Sequence, residues 1–149
     1  MNSDTFKFTA TTDTKPETRR GVLSTVAAIF DPLGLLTPFT LKGKLILQKI
    51  CSDGMSWDDP LSEEQMKAWR EWMSCLPNLT SLQFPRCFLT ADLQGQCTTE
   101  LHVFSDASTA AYGVCAYLRI LQAEYHTVNV SLIIGKTRDA PRKATTIPR

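Results

Sequence analysis

The chain is short of the residues that build soft-metal and redox centres. It has two histidines, His102 and His126, and five cysteines, Cys51, Cys75, Cys87, Cys97 and Cys115. No two cysteines form a CxxC pair and the histidines stand apart, so a zinc site is not expected. An odd, scattered cysteine count fits reduced thiols in an intracellular protein. The N-terminal stretch MNSDTFKFTATTDTKPETRR is polar and lacks the apolar segment of a secretory signal. No apolar run approaches the ~20 residues of a membrane span, so no membrane partner is expected. Net charge is only +1, and the whole-chain field therefore says little about nucleic acid. Internal repeats and low-complexity runs are absent.

What is present is enough for a core. Of 149 residues, 43% are apolar and 21% charged, a globular balance sized for one ordinary domain or two small ones. Charge is uneven along the chain. Between Lys136 and Arg149 stand five basic residues (Lys136, Arg138, Arg142, Lys143, Arg149) and one acid, Asp139. Such a run is either a solvated end or a phosphate-contacting surface.

Residues 1–16 lack periodicity and read as a polar tail or linker. Residues 17–30 carry Leu23, Val26, Ala27 and Phe30 at helical spacing. DPLG then stops that helix, since Asp31 precedes a proline and Gly34 permits a turn. Thr37-Pro38 reads as N-cap and first turn of a second helix over 38–51, with Leu41, Leu45, Ile46 and Ile50 apolar. Gly43 weakens it. Ser62 with Gln65 forms a capping box for a third helix. Its apolar face is Met66, Trp69, Trp72, Met73 and Leu76, and Pro77 ends it.

The pattern changes after Pro85. Phe84–Thr90 reads as a short strand or the approach to one. Glu100–Ser105, Tyr112–Leu118 and Val128–Ile134 read as three strands of an antiparallel meander. The link after the second of these is longer than a tight hairpin. The fold class is therefore α+β, a three-helix segment followed by a three-stranded antiparallel meander. The divisions are 1–16, 17–83 and 84–149. The sheet needs cover, either from the N-terminal helices or from elements beyond Arg149.

One stretch, LHVFSDAS at Leu101–Ser108, ends an apolar strand in a carboxylate. Asp106 can be a turn residue whose side chain bonds nearby amides, as can Ser108. It can be half of an aspartic protease pair, but that chemistry uses Asp-Thr-Gly or Asp-Ser-Gly, and here the triplet is Asp106-Ala107-Ser108. Asp13-Thr14-Lys15 lies in the polar tail with no strand before it. Or Asp106 can be an oxygen ligand for a hard divalent cation, at the end of the first of three antiparallel strands.

Four blocks occur in order. They are TRRGVLSTVAAIFDPLGLLTPFTLKGKLILQKIC, SWDDPLSEEQMKAWREWMSCLPNL, LHVFSDASTAAYGVCAYLR and SLIIGKTRDAPRKATTIPR. Together, from about Thr18 to Arg149, they resemble the Pao retrotransposon peptidase family of BEL/Pao-type elements. The resemblance implies reverse-transcriptase thumb or connection helices over 17–83, with Trp57 and Trp69/Trp72 in the family's tryptophan positions. It implies the first half of an RNase H-like domain over 84–149. Asp106 is then the first metal-binding carboxylate of a two-metal site for Mg²⁺ or Mn²⁺ that cleaves the RNA of an RNA–DNA hybrid. The second would be a Glu on a helix after the third strand, beyond Arg149, so the isolated chain is expected to bind no ion and to be inactive. Lys42, Lys44, Lys49, Lys136, Arg138, Arg142 and Lys143 are candidate phosphate contacts for an RNA–DNA template-primer. The rest of the pol polyprotein would be a partner, and the location intracellular and cytoplasmic, in a virus-like particle for the intact element. Two alternatives remain: an aspartic endopeptidase that processes the polyprotein, as the family label implies, and a non-enzymatic interaction module.

Overall fold

A computed structural model of the chain describes residues 4–9, 15–87, 96–122 and 127–141. The elements are β1 (Thr5–Lys7), α1 (Arg19–Ala27), α2 (Thr37–Ser52), α3 (Glu63–Ser74), a 3-10 turn (Leu76–Ser81), β2 (Gln83–Pro85), β3 (Cys97–Ala107), β4 (Ala111–Gln122) and β5 (Thr127–Asp139). The expected α+β class holds: three helices, then an antiparallel sheet ordered β3-β4-β5. A second, two-stranded sheet pairs β1 with β2.

The helices meet around two tryptophans. Trp72 is 1% exposed. It stacks on Phe39 at 4.6 Å and on Trp69 at 5.0 Å, and its indole N–H donates to the Phe39 carbonyl at 3.0 Å. This satisfies the one polar atom of a large buried ring. Val22, Val26, Ile50 and Leu76 complete the centre. Gly43 lies where a β-carbon would stand 2.8 Å from the Trp72 ring and 3.0 Å from Val26. Its low helix propensity is thus the cost of close packing between α2 and its neighbours.

The caps show which helix-start signals operate. Ser62 and Gln65 form the expected box: the Gln65 amide donates to Ser62 Oγ at 3.4 Å, and the Ser62 amide to Gln65 Oε1 at 3.0 Å. Thr37 departs from expectation. The N-cap of α2 is Leu36, with no side-chain cap bond. The Thr37 hydroxyl donates instead to the Gly34 carbonyl at 2.6 Å. Asp31 takes over the role, its two carboxylate oxygens accepting from the Leu35 and Leu36 amides at 2.9 and 2.8 Å.

Other expectations are corrected. The apolar face of α1 is Val22 and Val26 with Thr25, while Leu23 is 39% and Phe30 83% exposed. The DPLG turn starts early enough to leave Phe30 outside the helix, which rotates the buried face. Residues 1–16 are not all tail, because Thr5–Lys7 pairs with Gln83–Pro85 and Phe8 packs edge-on against Phe84 at 5.9 Å. Strand β2 stops at Pro85, and residues 88–90 of the expected strand lie outside the described residues. Helix α3 ends at Ser74, before Pro77, which instead falls within the 3-10 turn. The meander strands are longer than expected. Strand β4 runs on to Gln122 and β5 begins at Thr127, which shortens the link between them.

Helices and sheet are joined at one end of β5. The Gly135 amide donates to the Leu33 carbonyl at 2.8 Å. Gly34, at φ +73°, approaches so closely that a β-carbon on it would lie 1.7 Å from the Gly135 oxygen. Further along, Gln48 Nε2 donates to the Ala140 carbonyl at 2.9 Å. The helices thereby cover part of one sheet face. At the other edge of the sheet every residue of β3 is exposed. Among the described residues no helix is long and apolar enough to cross a membrane.

Candidate functional site

Asp106 is the penultimate residue of β3. The register sets it opposite Gly113 of β4, and Gly113 opposite Thr137 of β5. Residues directly opposite in antiparallel strands share a face, so Asp106, Gly113 and Thr137 form a row across the sheet. Phe104, Cys115 and Gly135 form the next row on that face. Gly113 keeps the row open, since a β-carbon there would lie 3.0 Å from the Thr137 methyl. This face looks toward the start of α2. Thr37, Pro38 and Leu41 line one wall of an open groove of about 560 Å³, and Phe104, Asp106 and Tyr117 are among the residues of the other.

The turn after the strand is built by Ser108. Its hydroxyl accepts from the Ala110 and Ala111 amides at 3.3 and 3.2 Å, and its own amide donates to the Ala111 carbonyl at 2.8 Å. Among the described residues, Asp106 Oδ1 accepts only from the adjacent Ala107 amide, at 2.8 Å. The turn therefore closes through Ser108, and the exposed Asp106 carboxylate stands at the groove with capacity to spare. Its backbone lies in the strand, and the Asp106-Ala107-Ser108 triplet lacks the glycine of an aspartic protease turn.

A divalent-ion centre asks for several oxygen ligands in fixed geometry. Asp106 is the right type of donor for one of them. Among the described residues, however, no group of three or more His, Cys, Asp or Glu side chains gathers to hold a metal. The described side chains do not fit a two-ion centre by themselves.

The basic candidates separate into two sets. Lys42 lies 3.6 Å from Glu71, and Lys49 pairs with Glu64. Both tie α2 to α3, and the Glu64 carboxylate holds the Lys49 ammonium above the usual lysine range. Lys44 points the other way, toward β5, and is half-buried. Lys136 and Arg138 are exposed on β5. Among the described residues Lys44, Lys136 and Arg138 enter no ion pair. Arg142 and Lys143 lie outside the described residues, as do His126 and the Asp13-Thr14 pair.

The tryptophan-bearing loop is fastened rather than free. Trp57 lies under the Arg19 guanidinium at 4.0 Å. Its carbonyl accepts from the Arg20 amide at 3.0 Å. Arg20 grips Asp58 through two bonds of 2.7 and 3.0 Å, and the Arg20 guanidinium holds the Asp58 carboxyl below its ordinary value. Trp69 and Trp72 are core residues. Sequence reasoning anticipated Ser108 as a turn residue bonding nearby amides but missed the α2 wall facing Asp106. The one available signal was the pair Gly34 and Gly135, each bounding a predicted element.

No curated protein and no solved structure shows a significant match to the chain. The sequence pattern of the Pao retrotransposon-like RNaseH-like domain, by contrast, matches continuously from residue 18 to residue 149. That span takes in all three helices, β2 and the whole β3-β4-β5 sheet with Asp106 at its strand end, and the chain belongs to the Pao retrotransposon-like RNaseH-like domain family.

Proposed function

We propose that this chain is a segment of a BEL/Pao retrotransposon pol polyprotein that handles an RNA–DNA template-primer. Residues 17–83 act as thumb or connection helices, and residues 84–149 as part of an RNase H-like domain. Asp106 contributes one oxygen ligand to a Mg²⁺ or Mn²⁺ centre whose remaining ligands lie outside the described residues. The observation that carries the reading is Asp106 itself: a strand-end carboxylate, opposite Gly113, exposed at a groove and not consumed by the turn it precedes. Family membership supports the same assignment.

One carboxylate cannot hold two ions in fixed geometry. The isolated chain is accordingly expected to bind a hybrid without cutting it and to show no polymerase or protease activity. Incubation of the purified chain with an RNA–DNA hybrid and Mg²⁺ or Mn²⁺ checks this. Cleavage that disappears in Asp106→Asn would refute the inactivity of the isolated chain. Proteolysis sensitive to pepstatin and indifferent to EDTA would overturn the nuclease reading altogether.

A further inference from the structure

We infer that the recess between the α1–α2 turn and the edge strand β5 seats a backbone phosphate of a polynucleotide, with Lys44 as its inner contact and Lys136 as its outer one. The inference rests on the nucleic-acid reading above and narrows it to one place. The recess, of about 350 Å³, is lined by Lys44, Thr40, Asp31, Lys136 and Thr137, among others. Three observations single it out.

First, Lys44 is a half-buried cation with no anionic partner among the described residues, whereas its neighbours Lys42 and Lys49 on α2 are both paired. Partly desolvating an ammonium without a counter-charge is unfavourable, and a phosphate would supply that charge. Second, the nearby carboxylates have other partners. Both oxygens of Asp31 accept from backbone amides, and Asp139, on the far side of Lys44, accepts from Gln48 Nε2 at 3.3 Å. Third, Thr137, which lines the same recess, has a buried Oγ1 with no hydrogen-bond partner among the described residues. Lys136 projects from the opposite face to Thr137. Because β5 is an edge strand, Lys136 nonetheless borders the recess. Two lysines and a threonine lining one recess suit a phosphodiester, which needs charge neutralisation and no base-specific geometry.

The test is the salt dependence of binding of a short RNA–DNA hybrid to the full chain. Lys44→Gln and Lys136→Gln should each lower the slope of log K against log salt by about 1, and the double variant by about 2. Lys44→Arg should restore most of the loss, which a merely structural role for Lys44 would not explain. Lys67→Gln removes the same charge from the wet face of α3 and should leave the slope near that of the unmodified chain. Slopes unchanged in both Lys44→Gln and Lys136→Gln, with binding intact, would overturn the phosphate recess while leaving the nucleic-acid reading standing. Failure of the unmodified chain to bind the hybrid at low salt would overturn both.

Discussion

Single residues shape this fold, and three glycines do so by different means. Gly34 adopts φ +73° against the Gly135 carbonyl, and Gly54 adopts φ +72° in open space. An alanine at Gly54 should cost about 1–2 kcal/mol for the left-handed backbone alone. At Gly34 it should cost more, because a backbone oxygen must also move. Comparing the urea midpoints of Gly34→Ala and Gly54→Ala checks the difference. Gly43 is a third case, in which packing opposes propensity. Gly43→Ala gains up to about 1 kcal/mol of helix propensity, yet overpacking of a close-packed core costs about 1–3 kcal/mol. With the Trp72 ring 2.8 Å from the new carbon, a net loss of stability is expected, read by thermal melting.

At the scale of elements, much of the molecule was legible in the sequence. Helix α3 shows its capping box, Trp69 and Trp72 face inward as its period requires, and Ser62→Ala should cost about 1 kcal/mol in a denaturant titration. The three long strands were found by their β-branched and aromatic runs, although their ends were not, because Thr, Arg and Gln at the margins read equally well as loop. Helix α1 was found with its face only partly right: Val26 is buried, but Leu23 and Phe30 fit a helical period that the DPLG turn cuts short. The short pairing of β1 with β2 joins residues nearly eighty positions apart and leaves no local trace. Most of the ion pairs join residues distant in the chain and are equally silent in sequence. Hydrogen bonds from Arg70 lower the Glu17 carboxyl, those from Arg20 lower Asp58, and those from His102 and Arg119 lower Glu100. Folded-state values below the unfolded ones mean that the unfolded chain binds more protons. Stability should therefore be fully supported above the ordinary carboxylate range, about pH 4, and should fall as pH drops through the lowered values. A series of melts from pH 6 to pH 2 with Glu17→Gln as comparison checks it, the variant losing less on acidification.

For the whole molecule, the sequence reads as two halves meeting near residue 84, whereas the Gly34–Gly135 approach and the Gln48–Ala140 bond connect them. All three tryptophans, Trp57, Trp69 and Trp72, lie in the helical half. If α2 and β5 fold as one cooperative unit, unfolding followed by tryptophan fluorescence should coincide with unfolding followed by circular dichroism in the β region. Two separated transitions would instead mark independent halves. The site was legible only in part: Asp106 stood out as a charge ending an apolar strand, but the α2 wall opposite it required the tertiary fold. Its assignment as a metal-binding carboxylate is tested most directly by cleavage of the RNA strand of an RNA–DNA hybrid. The enzyme would be a pol polyprotein that carries this chain, assayed with and without Asp106→Asn. Loss of cleavage with hybrid binding retained is the expected result, and cleavage undiminished by the substitution would contradict it.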